Sequence, residues 1–287
     1  MSSPQSRLIQ PQIDALIALA LAEDVGTGDQ TTQATIPADA QATAYVMAKE
    51  TLVLAGMRFF ARVFHHVDPE VVVEVLVEDG AEVGRGTDVA KVRGRARSLL
   101  VGERTALNIL QRLCGTATTA RRYAEAVAGT GARICDTRKT TPGMRVMQKY
   151  AVAVGGASNH RFGLDSGILI KDNHIEAAGG LTPAIERARA SAPHGLKIEI
   201  ETKTLAEVDE AIAARADIIM LDNMDTPTMA EAVRRVRASS YPILVEASGN
   251  LTLPRLREVA EVGVDLLSVG ALTHSAGSSD LSMKFRG

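Results

Sequence analysis

Between Asp136 and Leu164 the chain reads DTRKTTPGMRVMQKYAVAVGGASNHRFGL. After Asp136 this stretch holds no Asp or Glu, yet it carries Arg138, Lys139, Arg145, Lys149 and Arg161, with His160 beside the last. The chain as a whole is balanced, with 32 basic and 34 acidic side chains and a net charge of −2. A local gathering of cations in such a chain suits a small anionic ligand. Arginines grip planar carboxylates through two parallel hydrogen bonds, and a nearby Asp or Glu would repel the same ligand.

Further polar groups close a series of short apolar runs. ARICD (132–136) leads into Thr137, Arg138 and Lys139, and GILIKD (167–172) ends in Lys171, Asp172 and Asn173. KIEIE (197–201) ends in Glu201, ADIIMLD (216–222) in Asp222, PILVEAS (242–248) in Ser248, and VDLLSVG (264–270) in Val269 and Gly270. Two hard carboxylates, Glu201 and Asp222, suit Mg²⁺ that is also held by substrate phosphates. The small loops Ser248-Gly249-Asn250 and Val269-Gly270-Ala271 suit a phosphate held by backbone N–H groups. The implied ligands are a polycarboxylate and a phosphorylated, magnesium-bound partner.

Each of these residues also has a plainer reading. Strand ends commonly reach water. His160 alone is as readily structural as catalytic, Asp222 could cap a helix, and Gly155-Gly156 could be a simple turn. Glu199 and Glu201 alternate with Ile, so both point to one face. Glu199 lies deeper and could pair with a lysine such as Lys171 or Lys197. Arg145 and Lys149 are four apart in a predicted helix and could face solvent.

The elements that must position these groups follow from the pattern. The apolar, β-branched runs suit strands buried on both faces, as in a parallel sheet. Helical patterns lie between most of them: TPAIERARA, TLAEVDEAIAARA, TPTMAEAVRRVRA and TLPRLREVAEVG. Thr182-Pro183, Thr204 and Thr226-Pro227 are suitable helix starts, with Thr as N-cap and Pro just inside. Such βα repetition winds into a barrel or a doubly wound sheet, and in a barrel the strand ends share one mouth. The first half differs. QATAYVMAKETLVLAG, VVVEVLVEDGAEV and DVAKVRGRA predict antiparallel strands, with helices over about 57–66 and 98–114, in a separate α+β domain ending near Gly115-Thr116. Arg104, Asn108 and Gln111 fall on one helical line beside the Leu100–Leu107–Cys114 stripe. Arg104 there needs an acid such as Glu103, a ligand or a second subunit.

Composition bounds the rest. Hydrophobic residues make up 46% and aromatics 3%, with no Trp, so the core is aliphatic. A pI near 6.3 argues against general affinity for nucleic acid or anionic membranes. Two cysteines, Cys114 and Cys135, give neither a disulfide framework nor metal-ligand spacing, and fit a reducing compartment. The apolar stretch 15–22 is short and flanked by Asp14 and Glu23, an amphipathic helix rather than a signal or a span. A soluble, cytoplasmic protein is expected.

DTRKTTPGMR and GGASNHRFGLDSGILIKDNHI, with LAEDVGTGDQTT and ERTALNILQRLCGTAT, resemble the quinolinate phosphoribosyltransferases, the decarboxylating nicotinate-nucleotide pyrophosphorylases. The resemblance covers about Leu16 to Phe285. It implies an N-terminal α/β sandwich over 1–115, joined by 275–287, and an incomplete (β/α) TIM-like barrel over 116–274. It implies a homodimer in which Arg104 reaches quinolinate in the partner's site. By the same resemblance Arg138, His160, Arg161 and Lys171 bind quinolinate, with Thr137 beside them. Lys139 lies between quinolinate and phosphoribosyl pyrophosphate, Glu201 and Asp222 serve the Mg²⁺-bound ribose pyrophosphate, and Ser248-Gly249-Asn250 and 269–271 hold the 5′-phosphate. Lys139, Lys171, Glu201 and Asp222 are then the catalytic set. Three alternatives remain: a related branch that accompanies molybdate transport and uses another acceptor, a Schiff-base aldolase with Lys171 as nucleophile, and a pyridine-carboxylate or phosphate sensor.

Overall fold

A computed structural model describes residues 4–286. By contacts the chain forms two compact units, one of 1–121, 140–156 and 272–287, the other of 122–139 and 157–271. The first unit contains α1 (Pro4–Val25), α2 (Gln30–Thr35), β1 (Gln41–Ala48), β2 (Leu52–Val53), α3 (Met57–Val67), β3 (Val72–Val75), β4 (Glu82–Val83), β5 (Asp88–Arg95) and most of α4 (Ala96–Ala126). The second contains β6 (Arg133–Cys135) and, past α5 (Arg145–Val154) of the first unit, β7 (Ile168–Ile170), α6 (Asp172–Ala178), α7 (Leu181–Ser191), β8 (Ile198–Thr202), α8 (Leu205–Ala213), β9 (Ile218–Asp222), α9 (Thr226–Ala238), β10 (Leu244–Ser248), α10 (Leu256–Glu261) and β11 (Leu266–Ser268). The chain then returns to the first unit through α11 (Ala271–His274) and β12 (Leu281–Phe285).

In the first unit four strands form an antiparallel sheet in the order β12-β1-β5-β3. The extreme C-terminus thus completes the N-terminal sheet, Leu281 beside Ala48 and Phe285 beside Ala44. Alternation turns Ala44, Val46 and Ala48 inward. They meet Phe59, Phe60, Val63 and Phe64 of α3 and Leu99, Leu107, Leu110 and Leu113 of α4, all buried at helical spacing. The run 41–56 holds two strands rather than one, because β2 leaves the main sheet to pair with β4.

Helix α4 runs well past the expected end near 114. Gly115 does not stop it; the glycine lets another segment approach. A Cβ at Gly115 would overlap the Gly277 carbonyl. Gln111 fastens the same returning segment, its Nε2 donating to the Leu281 carbonyl at 2.8 Å and its own carbonyl accepting from Ser279 N at 2.9 Å.

The second unit is a parallel sheet of six strands in the order β6-β11-β10-β9-β8-β7. Each of the six apolar runs supplies one strand. Among the described residues β6 and β7 are edges that do not pair, so the barrel is incomplete. The residues of β8, Ile198–Thr202, are all buried, as strands covered on both faces require. Thr204 caps α8 in a reciprocal capping box with Glu207. The other two expected Thr caps are displaced: α7 begins after Gly180, and Asp225 caps α9 by accepting from Thr228 N. Helix α6 was not legible, since Asp172 and Asn173 read as a polar strand end.

Candidate active site

The C-terminal ends of the parallel strands surround a cavity of about 280 Å³. Thr137, Arg138 and Lys139 line it from beyond β6, His160 and Arg161 from the segment before β7, and Lys171 from the end of β7. Leu169, Met220, Glu246, Ser248 and Ser268 complete the lining. Register explains this set. Met220 pairs with Glu201 on one side and Glu246 on the other, and Ser248 pairs with Asp222 and Ser268. Residues paired across a sheet share a face, so Glu201, Asp222, Glu246 and Ser248 all face inward with Met220.

Local contacts fix the cations. Lys139 N donates to Thr137 Oγ1 at 3.0 Å, which tightens the turn after β6. Arg161 is half-buried, and its Nη1 donates to the Gly167 carbonyl at 2.9 Å. Its Nε is buried with no hydrogen-bond acceptor among the described residues. Burial first, and the charge of Arg138 second, lower its pKa below the usual arginine value. Two cations pressed together in this way favour an anion between them.

Lys171 is exposed, and its Nζ donates to Glu201 Oε2 at 3.1 Å. Glu201 itself is buried. Asp222 Oδ2 accepts from Asn223 Nδ2 at 2.9 Å, and Asn223 Oδ1 accepts from Asn250 Nδ2 at 3.1 Å. Asn223 and Asn250 both hold left-handed backbone, at φ 55° and 51°, and Gly249, between the end of β10 and Asn250, is at φ 85°. This knot ties the end of β9 to the end of β10. Such backbone outliers concentrate at functional loops. Glu201, Asp222, Gly249, Asn250, Val269, Gly270 and Ala271 do not line the cavity. Val269 N binds the Cys135 carbonyl at 2.9 Å, and α11 begins at Ala271.

Three expectations need correction. Glu199 pairs with neither Lys171 nor Lys197: its Oε2 lies 3.1 Å from His160 Nε2. Lys149 is buried at 4% exposure rather than facing solvent, while Arg145 is half-buried with its Nε on Thr140 Oγ1 at 3.1 Å. Glu246 was passed over as part of a strand end, yet it is fully buried with Oε2 3.4 Å from the same His160 nitrogen. The signal was present, because a carboxylate inside PILVEAS resembles those inside KIEIE.

Burial lowers the pKa of His160, but hydrogen bonds and charge from Glu199 and Glu246 outweigh it and push it up. Burial likewise raises that of Glu199. Arg161 N donates to Nδ1 at 2.8 Å, which opposes a proton there. In the first unit Arg104 is exposed on α4 and has no ion-pair or hydrogen-bond partner among the described residues. Cys114 and Cys135 are free and buried, and burial pushes the Cys114 thiol up to about 12. No described helix is long and apolar enough to cross a membrane.

An open parallel barrel with cations around a cavity at its strand ends is the arrangement of an enzyme that handles small anions. Comparison with known proteins gives the family. The model for the quinolinate phosphoribosyl transferase N-terminal domain matches residues 29–114, and that for the C-terminal domain matches 116–284. The chain is 47% identical over 272 residues to a probable nicotinate-nucleotide pyrophosphorylase [carboxylating] of Synechocystis, covering 95% of this chain and 92% of that one. It is 42% identical to the corresponding Bacillus subtilis protein, covering 95% and 93%. The crystal structure of NadC from Streptococcus pyogenes superposes with a TM-score of 0.91 at 42% identity, over 96% of this chain and 98% of that one. The protein belongs to the quinolinate phosphoribosyl transferase family. The two family models meet at residue 115, within α4.

Proposed function

We infer that the protein transfers the phosphoribosyl group of 5-phosphoribosyl 1-pyrophosphate to quinolinate with loss of CO₂, giving nicotinate mononucleotide and pyrophosphate. Family membership supports this reading. The observation that carries it is the cavity lined by Arg138, Lys139, Arg161 and Lys171, in which Arg161 Nε is a buried donor with no acceptor among the described residues. A pyridine dicarboxylate supplies the acceptors that these groups need.

The chemistry requires no nucleophilic side chain. The pyridine nitrogen attacks C1 of the ribose as the C1–O bond to pyrophosphate breaks. The ring nitrogen becomes quaternary, so the electrons of the breaking C2–carboxylate bond pass into the ring. A proton then takes the place of CO₂ at C2. Arg138, Arg161 and Lys171, with Thr137 and His160 beside them, hold the acceptor. Lys139, exposed at the cavity wall, meets the charge that develops on the leaving pyrophosphate. Glu201 and Asp222 face the ribose as positive charge grows there. The Ser248-Gly249-Asn250 and 269–271 turns take the 5′-phosphate. Holding both reactants in line supplies most of the rate.

Mg²⁺ fits this donor set. Glu201 and Asp222 are hard oxygen donors on one face of adjacent strands, and one oxygen of each is already engaged, by Lys171 and Asn223 respectively. Glu201 and Asp222 would hold the cation. When bound, Mg²⁺ supplies charge neutralisation to the leaving pyrophosphate. The working assembly in this reading is a homodimer. Arg104 of one subunit reaches the quinolinate site of the other, a role that suits its exposed, unpaired position on α4. A cytoplasmic location suits the two free, buried thiols.

Substrate-specific kinetics test the assignment. Arg161→Ala should raise the KM for quinolinate by about 100-fold, the loss expected for charge-assisted hydrogen bonds to a carboxylate, and leave that for the phosphoribosyl donor nearly unchanged. Glu201→Ala should do the reverse. Unchanged quinolinate kinetics in Arg161→Ala would remove the carboxylate clamp.

A further inference from the structure

Beside His160 lie two buried carboxylates, Glu199 and Glu246, to which the chemistry above gives no part. His160 Nε2 stands 3.1 Å from Glu199 Oε2 and 3.4 Å from Glu246 Oε2. The three side chains are 12%, 5% and 0% exposed. Among the described residues Glu199 Oε1 and Glu246 Oε1 are buried with no hydrogen-bond partner, and Glu246 Oε2 has only its 3.4 Å approach to His160. Two carboxylates kept this dry and this poorly satisfied cost the fold stability. Such a cost in a site-lining strand points to a role in the site.

The contacts of the ring show what that role is. Both imidazole nitrogens are engaged by protein: Nε2 by the carboxylates, and Nδ1 by the backbone N–H of Arg161 at 2.8 Å. The backbone N–H of His160 in turn donates to Asp136 Oδ1 at 2.8 Å, and Asn159 Nδ2 donates to Asp136 Oδ2 at 2.8 Å. The segment that carries Arg161 is therefore pinned from β6, β8 and β10 at once. We propose that Glu199 and Glu246 are positioning residues which act through His160 to hold the Arg161 guanidinium in the quinolinate site. The proposal rests on the reading of this cavity as the acceptor site. It makes His160 a link between the carboxylates and Arg161 as well as a wall of the cavity.

The test uses Glu246→Leu and the near-isosteric Glu246→Gln in the full-length protein. Either change leaves His160 paired with Glu199, so the melting temperature should be equal to or above that of wild type. Quinolinate affinity, by direct titration and as KM, should fall about 10- to 100-fold, the range expected for a misplaced clamp. The KM for phosphoribosyl pyrophosphate should stay within about twofold. Wild-type quinolinate affinity in both variants would overturn the proposal, as would an equal loss for both substrates. If the wild-type protein neither binds nor turns over quinolinate, the functional reading fails and the proposal with it. Normal turnover with unaffected variants would sink the proposal alone.

Discussion

Replacing Gly249 by Ala perturbs the knot that joins the ends of β9 and β10. Gly249 sits at φ 85°, where an L side chain costs about 1–2 kcal/mol. A Cβ there would overlap Asn223 Oδ1 and lie 2.5 Å from its Cγ and 2.9 Å from its Nδ2. The Asn223 amide would have to turn away, loosening its bonds to Asp222 Oδ2 and Asn250 Nδ2. Both asparagines are exposed, so water replaces much of that loss, and about 0.5–1 kcal/mol remains. The total is about 2 kcal/mol, which should appear in part as lower stability and in part as a displaced Asp222. Denaturant unfolding should show a loss of about 1–2 kcal/mol. If the whole cost reached the transition state, kcat/KM for the phosphoribosyl donor would fall about 30-fold. Asn223→Ala removes the obstruction, so Gly249→Ala in that background should cost clearly less than in the wild type. A Gly249→Ala protein with wild-type unfolding and wild-type donor kinetics would refute the reasoning.

Other expectations follow from the first unit and from the barrel. Gly115→Ala gains about 1 kcal/mol of helix propensity but places a methyl on the Gly277 carbonyl. The backbone there cannot turn aside as a side chain can, so a net loss of about 1–2 kcal/mol should appear in denaturant unfolding. Asp14 is held at about 2, chiefly by its hydrogen bond from Arg62 and further by His66, against the opposing effect of burial. A carboxylate depressed in the folded state stabilises above its unfolded value near 3.8 and loses that contribution as pH falls towards 2. After allowance for solvent around the pair, Asp14→Asn should cost about 1 kcal/mol at pH 7 and flatten the fall in stability between about pH 4 and 2. Lys171→Met removes the partner of buried Glu201 and should lower kcat more than 10-fold with the assembly state unchanged, as read by kinetics beside sedimentation.

The six barrel strands were legible because parallel strands buried on both faces must be continuous apolar runs, and KIEIE and ADIIMLD have no other stable use. Their βα repetition left a barrel and a doubly wound sheet open, and the strand order came only with the structure. Thr204 announced its helix because a Thr followed three residues later by Glu closes a capping box. Thr226 did not, because Asp225 one residue earlier is the stronger acceptor. Gly115 misled in the same way: glycine marks both helix ends and close approaches, and only the returning segment near Gly277 decides between them. The cation set was legible as a composition. The acid cluster around His160 was not, since His160, Glu199 and Glu246 lie far apart in sequence and meet only through register. A buried carboxylate looks the same in a sequence whether it faces a lysine, a histidine or a metal.

The central claim is decarboxylating phosphoribosyl transfer to quinolinate. It is tested most directly by incubating the protein with phosphoribosyl pyrophosphate, Mg²⁺ and quinolinate labelled in its 2-carboxylate. Labelled CO₂ and nicotinate mononucleotide should form in equal amounts, with no nucleotide when nicotinate replaces quinolinate. Nucleotide formation from nicotinate, or binding of quinolinate without release of label, would contradict the account.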